Sequence, residues 1–136
     1  MRELRDTEYP RCLFLNEDYI CCIKLHTYTD ALEEAHVAAT YRRLVYFYGT
    51  ILVQLVKASI KITPTKTISV PKLGLDEALL GARQARVLLA SLTSIVQARF
   101  FWTDSSMVWH WTRVTVGSYQ MLVIHRIGEI QTLIEP

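Results

Sequence analysis

The sequence predicts one α/β domain, a mixed sheet with helices packed on it. Three stretches carry that expectation. From Cys22 the pattern turns to period two: Ile23, Leu25, Thr27 and Thr29 alternate with Lys24, His26, Tyr28 and Asp30, as on the two faces of a strand. Leu75 to Leu92 is rich in Leu and Ala and reads as the longest helix. Arg99 to Arg113 (RFFWTDSSMVWHWTR) runs from the strand formers Phe100, Phe101 and Trp102 through Thr103-Asp104-Ser105-Ser106 into Met107, Val108 and Trp111, apolar at helical spacing. Aromatic strand, polar junction and helix make one strand–helix unit.

The remaining elements follow in order. Residues 1–20 mix charges with Tyr9-Pro10 and form an irregular lead-in, leaving 21–136 as the domain. Ala31 to Glu34 is a turn. His36 to Val45 and Thr50 to Ile62 are two further strands, parted at Tyr48-Gly49-Thr50, so the first three strands form an antiparallel meander. Thr63 to Thr67 (TPTKT) is a loop by composition, and Pro71 sits where a helix can begin. On the long helix Leu75, Leu79, Ala82 and Leu89 line one face, while Arg83 and Gln84 help make another. Strand 99–103 and helix 105–113 follow, then a helix from Tyr119 to Leu133 with Leu122, Ile127 and Ile130 on its buried side. Parallel strands joined through a helix take a right-handed crossover, so strand 99–103 belongs beside strand 23–31, in spatial order 3-2-1-4.

Composition excludes several classes. With 51% hydrophobic and 21% charged residues the chain is globular rather than disordered. A net charge of +2 permits a polyanionic partner without arguing for one. Cys12, Cys21 and Cys22 lack C-x-x-C spacing and read as free thiols of a reducing compartment. His26, His36, His110 and His125 form no metal-binding pair, and the isolated glycines exclude phosphate-loop and dinucleotide fingerprints. The start of the chain shows no signal-peptide pattern, and the longest apolar run, Leu44 to Val56, is too short to span a bilayer. The expectation is an intracellular, cytoplasmic protein with no membrane association.

Two acids stand out. Asp30 and Asp104 close neighbouring strands in the predicted sheet, at the carboxyl ends where open α/β sheets place their ligands. Taken alone, Asp104 reads as a helix cap, and the second acid is what points to a site. Together, the two carboxylates repel unless a cation lies between them, and magnesium, bound through one or two carboxylates, suits the pair.

The stretches LHTYTDALEEAHVAATYRR, LVKASIKITPTKTISVPKLGLDEALLGAR, FFWTDSSMVWHW and HRIGEIQ, with the YPRC lead-in, are colinear with one family. They resemble the ribonuclease H-like segment of BEL/Pao-type LTR retrotransposon polyproteins. The resemblance implies a ribonuclease H-like mixed sheet, here without its fifth strand, and hydrolysis of the RNA strand of RNA–DNA hybrids by two divalent metals held on acids. It places the first-strand acid on Asp30 and the fourth-strand acid on Asp104, within Trp-Thr-Asp-Ser. The second acid, a Glu in a Pro-x-Leu-Glu-Leu pattern, falls on Gly74 of Pro71-Lys72-Leu73-Gly74-Leu75. The last acid follows a fifth strand that the sequence does not reach by Pro136.

Near the vacant position, Asp76 lies some 200° round the helix from residue 74. Glu77 keeps the same face within about 60°, ~4.5 Å further along the axis. It reads either as a stand-in acid or as a helix-start acid favoured by the macrodipole. The catalytic candidates are thus Asp30, Asp104 and Glu77, with Asp30 and Asp104 as metal ligands and Mg2+ bound weakly at best. The expected function is a ribonuclease H remnant with weak or lost hydrolysis. The alternatives are a non-catalytic module holding nucleic acid or protein on the same fold, and an active nuclease using Glu77.

Partner expectations are an RNA–DNA hybrid or other nucleic acid, and self-association through strand 99–103 as an exposed edge. Arg42, Arg43, Lys57, Lys61, Lys66 and Lys72 read either as phosphate contacts or as the solvated face of a one-sided sheet. Trp102, Trp109 and Trp111 are assigned to core and helix packing.

Overall fold

A computed structural model describes residues 17–32, 34–62, 70–92, 95–113 and 121–134. The lead-in up to residue 16 with Cys12, the 63–67 loop with Lys66, and the side chains of Lys72 and Leu122 lie outside the described residues. A 3-10 turn, Glu17–Tyr19, leads into β1 (Ile20–Ala31), β2 (Ala35–Tyr46) and β3 (Ile51–Ile62), each twelve residues long. After α1 (Val70–Ser91) come β4 (Ala98–Thr103), α2 (Ser106–Trp111) and α3 (Met121–Ile134).

The sheet order is β3-β2-β1-β4, with β1–β2 and β2–β3 antiparallel and β1–β4 parallel. This is the ribonuclease H-like arrangement the sequence predicts. The first connection is closed by Leu32 and Ala35, whose backbone N–H groups each donate to the other's carbonyl. At the second, Gly49 takes φ +87°, a conformation open to glycine, and its N–H donates to the Tyr46 carbonyl at 2.9 Å. The β2–β3 register slips once: Thr40 pairs with Lys57 but Tyr41 with Leu55, leaving Val56 as the extra residue of a bulge.

Helix α1 starts five residues earlier than its apolar pattern. Pro71 falls in the first turn, where its missing N–H is no loss. Leu75, Leu79 and Ala82 are buried as predicted, and Ala85 and Leu88 continue the face, with Leu88 in the inward place expected of Leu89. Leu75 and Leu79 pack with Ile127 and Ile130 of α3, joined by Trp111 and Leu133. Arg83 of α1 and Glu129 of α3 form a two-point ion pair, 2.7 and 3.0 Å, exposed enough to add little.

Three placements correct the sequence reading. Gln84 does not help make an outer face of α1: it is buried, donating to Thr40 Oγ1 at 2.9 Å and the Lys57 carbonyl at 3.1 Å. The inward faces of the strands supply the acceptors it needs. Arg42 is not on a solvated face, being 2% exposed and donating to Gln54 Oε1 at 2.9 Å. Trp102 and Trp109 are half exposed, so of the three tryptophans only Trp111 packs on the core cluster.

The two faces of the sheet therefore differ. The side holding Ile23, Leu25, Thr27, Ala38, Thr40 and Leu44 is covered by α1. On the other side His26 stacks on Phe100 with centroids 4.8 Å apart, and Tyr28 stacks on Trp102 at 5.8 Å. Trp102 Nε1 donates to His26 Nδ1 at 3.2 Å. Burial, followed by the charges of Arg43 and Lys24, lowers the His26 pKa, the direction that favours a ring nitrogen able to accept that bond. Among the described residues no helix is long and apolar enough to cross a membrane.

Candidate functional site

The parallel pairing of β1 and β4 sets Thr29 opposite Thr103. Asp30 and Asp104 follow those two threonines, so both acids stand at the carboxyl ends of adjacent strands, and both are exposed. Alternation along the strands turns Thr29 and Thr103 toward α1. There Glu77 receives them: its Oε1 accepts from Thr29 Oγ1 at 2.7 Å and from Thr103 Oγ1 at 3.2 Å.

Glu77 is fully buried, and its Oε2 has no hydrogen-bond partner. Desolvation raises its pKa, the two threonine bonds oppose the rise, and the charges of Asp104 and Asp30 add to it. The three acids are thus electrically coupled, with two in water and one beneath them. Among the described residues, however, no three His, Cys, Asp or Glu side chains form a group that could hold a metal ion.

A raised carboxyl pKa has a definite sign in stability. The stabilisation associated with protonated Glu77 is fully present below the ordinary carboxylate range and is lost as pH rises through the elevated value. Glu77→Gln keeps an oxygen for Thr29 and Thr103 but never ionises. Its urea midpoint is expected to exceed that of the native chain near pH 8 and to converge with it near about pH 4. A constant offset across that range would show that Glu77 does not titrate differently on folding.

The glycines of α1 fix how near the helix comes. A Cβ on Gly74 would lie 2.9 Å from Val108 Cγ2 and 3.2 Å from Ser105 Oγ, so the place of a side chain at 74 is filled by the start of α2. A Cβ on Gly81 would collide with Thr29 Cγ2 and stand 3.3 Å from Thr27 Cγ2. The close approach at Gly81, one turn beyond Glu77, is what lets that side chain reach both strand ends.

The capping alternative for Asp104 passes to its neighbour. Ser105 is the N-cap of α2, its Oγ accepting from Val108 N at 3.3 Å, and the Ser105 N–H in turn donates to Thr103 Oγ1 at 3.1 Å. The structure brings Glu77 under the ends that carry Asp30 and Asp104, and it adds Thr29 and Thr103, which the sequence reading did not single out. Their one signal was the twice-occurring Thr-Asp pair, at 29–30 and 103–104.

No curated protein and no solved structure matches the chain. The family model of the Pao retrotransposon-like RNaseH-like domain matches residues 1–105, a span that holds Asp30, Gly74, Glu77 and Asp104. That span is well over half of the 136 residues and includes every strand of the sheet, so the chain belongs to the Pao retrotransposon-like RNaseH-like domain family.

Proposed function

We propose that the chain is a retroelement ribonuclease H remnant, derived from an activity on RNA–DNA hybrids but with weak or lost hydrolysis of its own. The observation that carries this reading is at position 74. The resemblance calls for a carboxylate there, and the chain has a glycine whose side-chain space is occupied by Ser105 and Val108. Glu77 keeps the charge nearby but in a muted form. Its Oε1 is taken by two threonines, and burial and desolvation make it a poorer cation ligand than an exposed carboxylate.

Two exposed carboxylates on adjacent strand ends fit one magnesium ion held weakly, with Asp30 and Asp104 as the donors. They do not fit a two-metal centre, because about four positive charges would meet two assured negative ones. Magnesium, where bound, supplies Lewis-acid polarisation of phosphoryl oxygens. The chain's own contribution is to hold the Asp30–Asp104 pair in register through the Thr29–Thr103 pairing and to anchor α1 beneath it.

The test is a hybrid-cleavage assay in magnesium. The chain is expected to leave a labelled RNA–DNA hybrid intact over times in which an active ribonuclease H degrades it. Misplacing reacting groups by ~1 Å already costs about a hundredfold. Robust magnesium-dependent cleavage that disappears in Asp104→Asn would overturn this reading and make Glu77 a working acid.

A further inference from the structure

The sheet face turned away from α1 is large, apolar and charged at its two ends. Its β3 strip is Ile51, Val53, Leu55, Ile60 and Ile62, all at least 44% exposed. Tyr28, Phe100 and Trp102 continue it across β1 and β4. A concavity of about 470 Å³ lies in its middle, floored by Ala39 and walled by Tyr28, Tyr41, Val53, His26 and Arg43. Contiguous apolar surface on this scale marks an interaction site rather than a solvated face.

The charges decide what fits. Lys24 and Arg43 are direct cross-strand partners near one end of β1, while Asp30 lies at the other end beside Asp104. Six residues at ~3.3 Å per residue separate Lys24 from Asp30 by roughly 20 Å. A polyanion is disfavoured, since two cations on an apolar face are balanced by two acids at its far end. A second copy turned end for end is favoured, because it sets the acid end of each face over the cation end of the other.

The size is also right. Three twelve-residue strands and one of six, at ~3.3 Å per residue and ~4.8 Å between strands, present roughly 650 Å² of flat face. With side-chain relief this approaches the ~800 Å² per partner of a standard interface.

We propose that this face docks a second copy of the chain, sheet against sheet about a two-fold axis, with Lys24 of each copy over Asp30 of the other and the flanking Arg43 and Asp104 adding to the opposite charges of the two ends. The axis crosses β1 near Thr27, so the aromatic residues of the two copies meet at the centre and the charges close the ends. Such a contact is isologous and closes at two copies. It differs from edge pairing along β4, and because it engages the Asp30–Asp104 pair assigned above to magnesium, it is tested by oligomeric state in magnesium-free buffer rather than by cleavage.

Sedimentation equilibrium of the whole chain is the test, with circular dichroism to confirm folding. The native chain is expected to be a dimer at micromolar concentration. Lys24→Glu with Arg43→Glu, and separately Asp30→Lys with Asp104→Lys, should each weaken dimerisation more than about tenfold, because like charges then oppose one another. An equimolar mixture of the two charge-reversed proteins should recover a dimer. Val53→Lys, at a position 57% exposed in the single copy and therefore tolerant of substitution, should weaken it as well. A native chain that stays monomeric overturns the proposal. So does a dimer indifferent to Val53→Lys and to both charge reversals, or one abolished only by Phe101→Pro at the β4 edge.

Discussion

Leu75→Ala is expected to lower the unfolding free energy by about 2–5 kcal/mol. Leu75 is wholly buried between α1 and α3, against Leu79, Ile127 and Ile130, with Trp111 and Leu133 at the margin. Truncation removes the transfer energy of the lost carbons and leaves a cavity that two packed helices close only in part. A domain of this size holds about 5–15 kcal/mol in total, so the loss is a large share of it. Urea unfolding followed by circular dichroism measures it, with a lowered midpoint and an unchanged slope. A loss under about 1 kcal/mol would mean that the helices do not pack as described.

Gln84→Leu is the second large effect, and it probes polar rather than apolar burial. The Gln84 amide nitrogen donates to Thr40 Oγ1 and to the Lys57 carbonyl, and Thr40 Oγ1 also bonds Thr27 Oγ1 at 2.9 Å. Leucine fills the volume but removes the donor that ties α1 to β2 and β3. Leaving buried acceptors unmet costs about 1–3 kcal/mol. Gln84 Oε1 is itself buried without a hydrogen-bond partner, so its removal offsets part of that cost and places the expected loss in the lower half of the range. The same urea titration reads it. A variant as stable as the native chain would show that the Thr27–Thr40–Gln84 chain contributes nothing net.

The order of the strands, and with it the placing of Asp30 and Asp104 at adjacent strand ends, was legible because it follows from short-range pattern plus one rule of handedness. Alternation fixed which residues of β1 face inward, and the right-handed crossover put β4 beside β1. Gln84 and Arg42 were not legible. A polar residue turns inward only when a partner waits there, and those partners, Thr40 and Gln54, lie on other strands at distances no periodicity encodes. Trp102 and Trp109 were misplaced for the opposite reason. Bulk suggests burial, yet the described helices lie on the far side of the sheet from Trp102, and Trp109 finds its neighbour in the Arg113 guanidinium, 4.3 Å from its ring. At the site, helical geometry gave Glu77 the face of position 74. What helical geometry could not supply was the start of α2 lying against Gly74, a contact between residues some thirty positions apart.

The slip in the β2–β3 ladder has a consequence for how this sheet can change length. Along β3, residues 51–55 and 57–62 are each in regular register with β2, and Val56 is the surplus between them. Deleting Val56 would leave every partner on both sides where it is and every side chain on its own face. Deleting a neighbour such as Val53 would instead slide one flank by a residue and turn its apolar side chains over. A gene encoding this domain can therefore lose a codon at the bulge with a local loss of twist, whereas the same loss three codons away rewrites half a strand. The irregularity is the place where the reading frame of the protein sheet, as distinct from that of the gene, tolerates an indel.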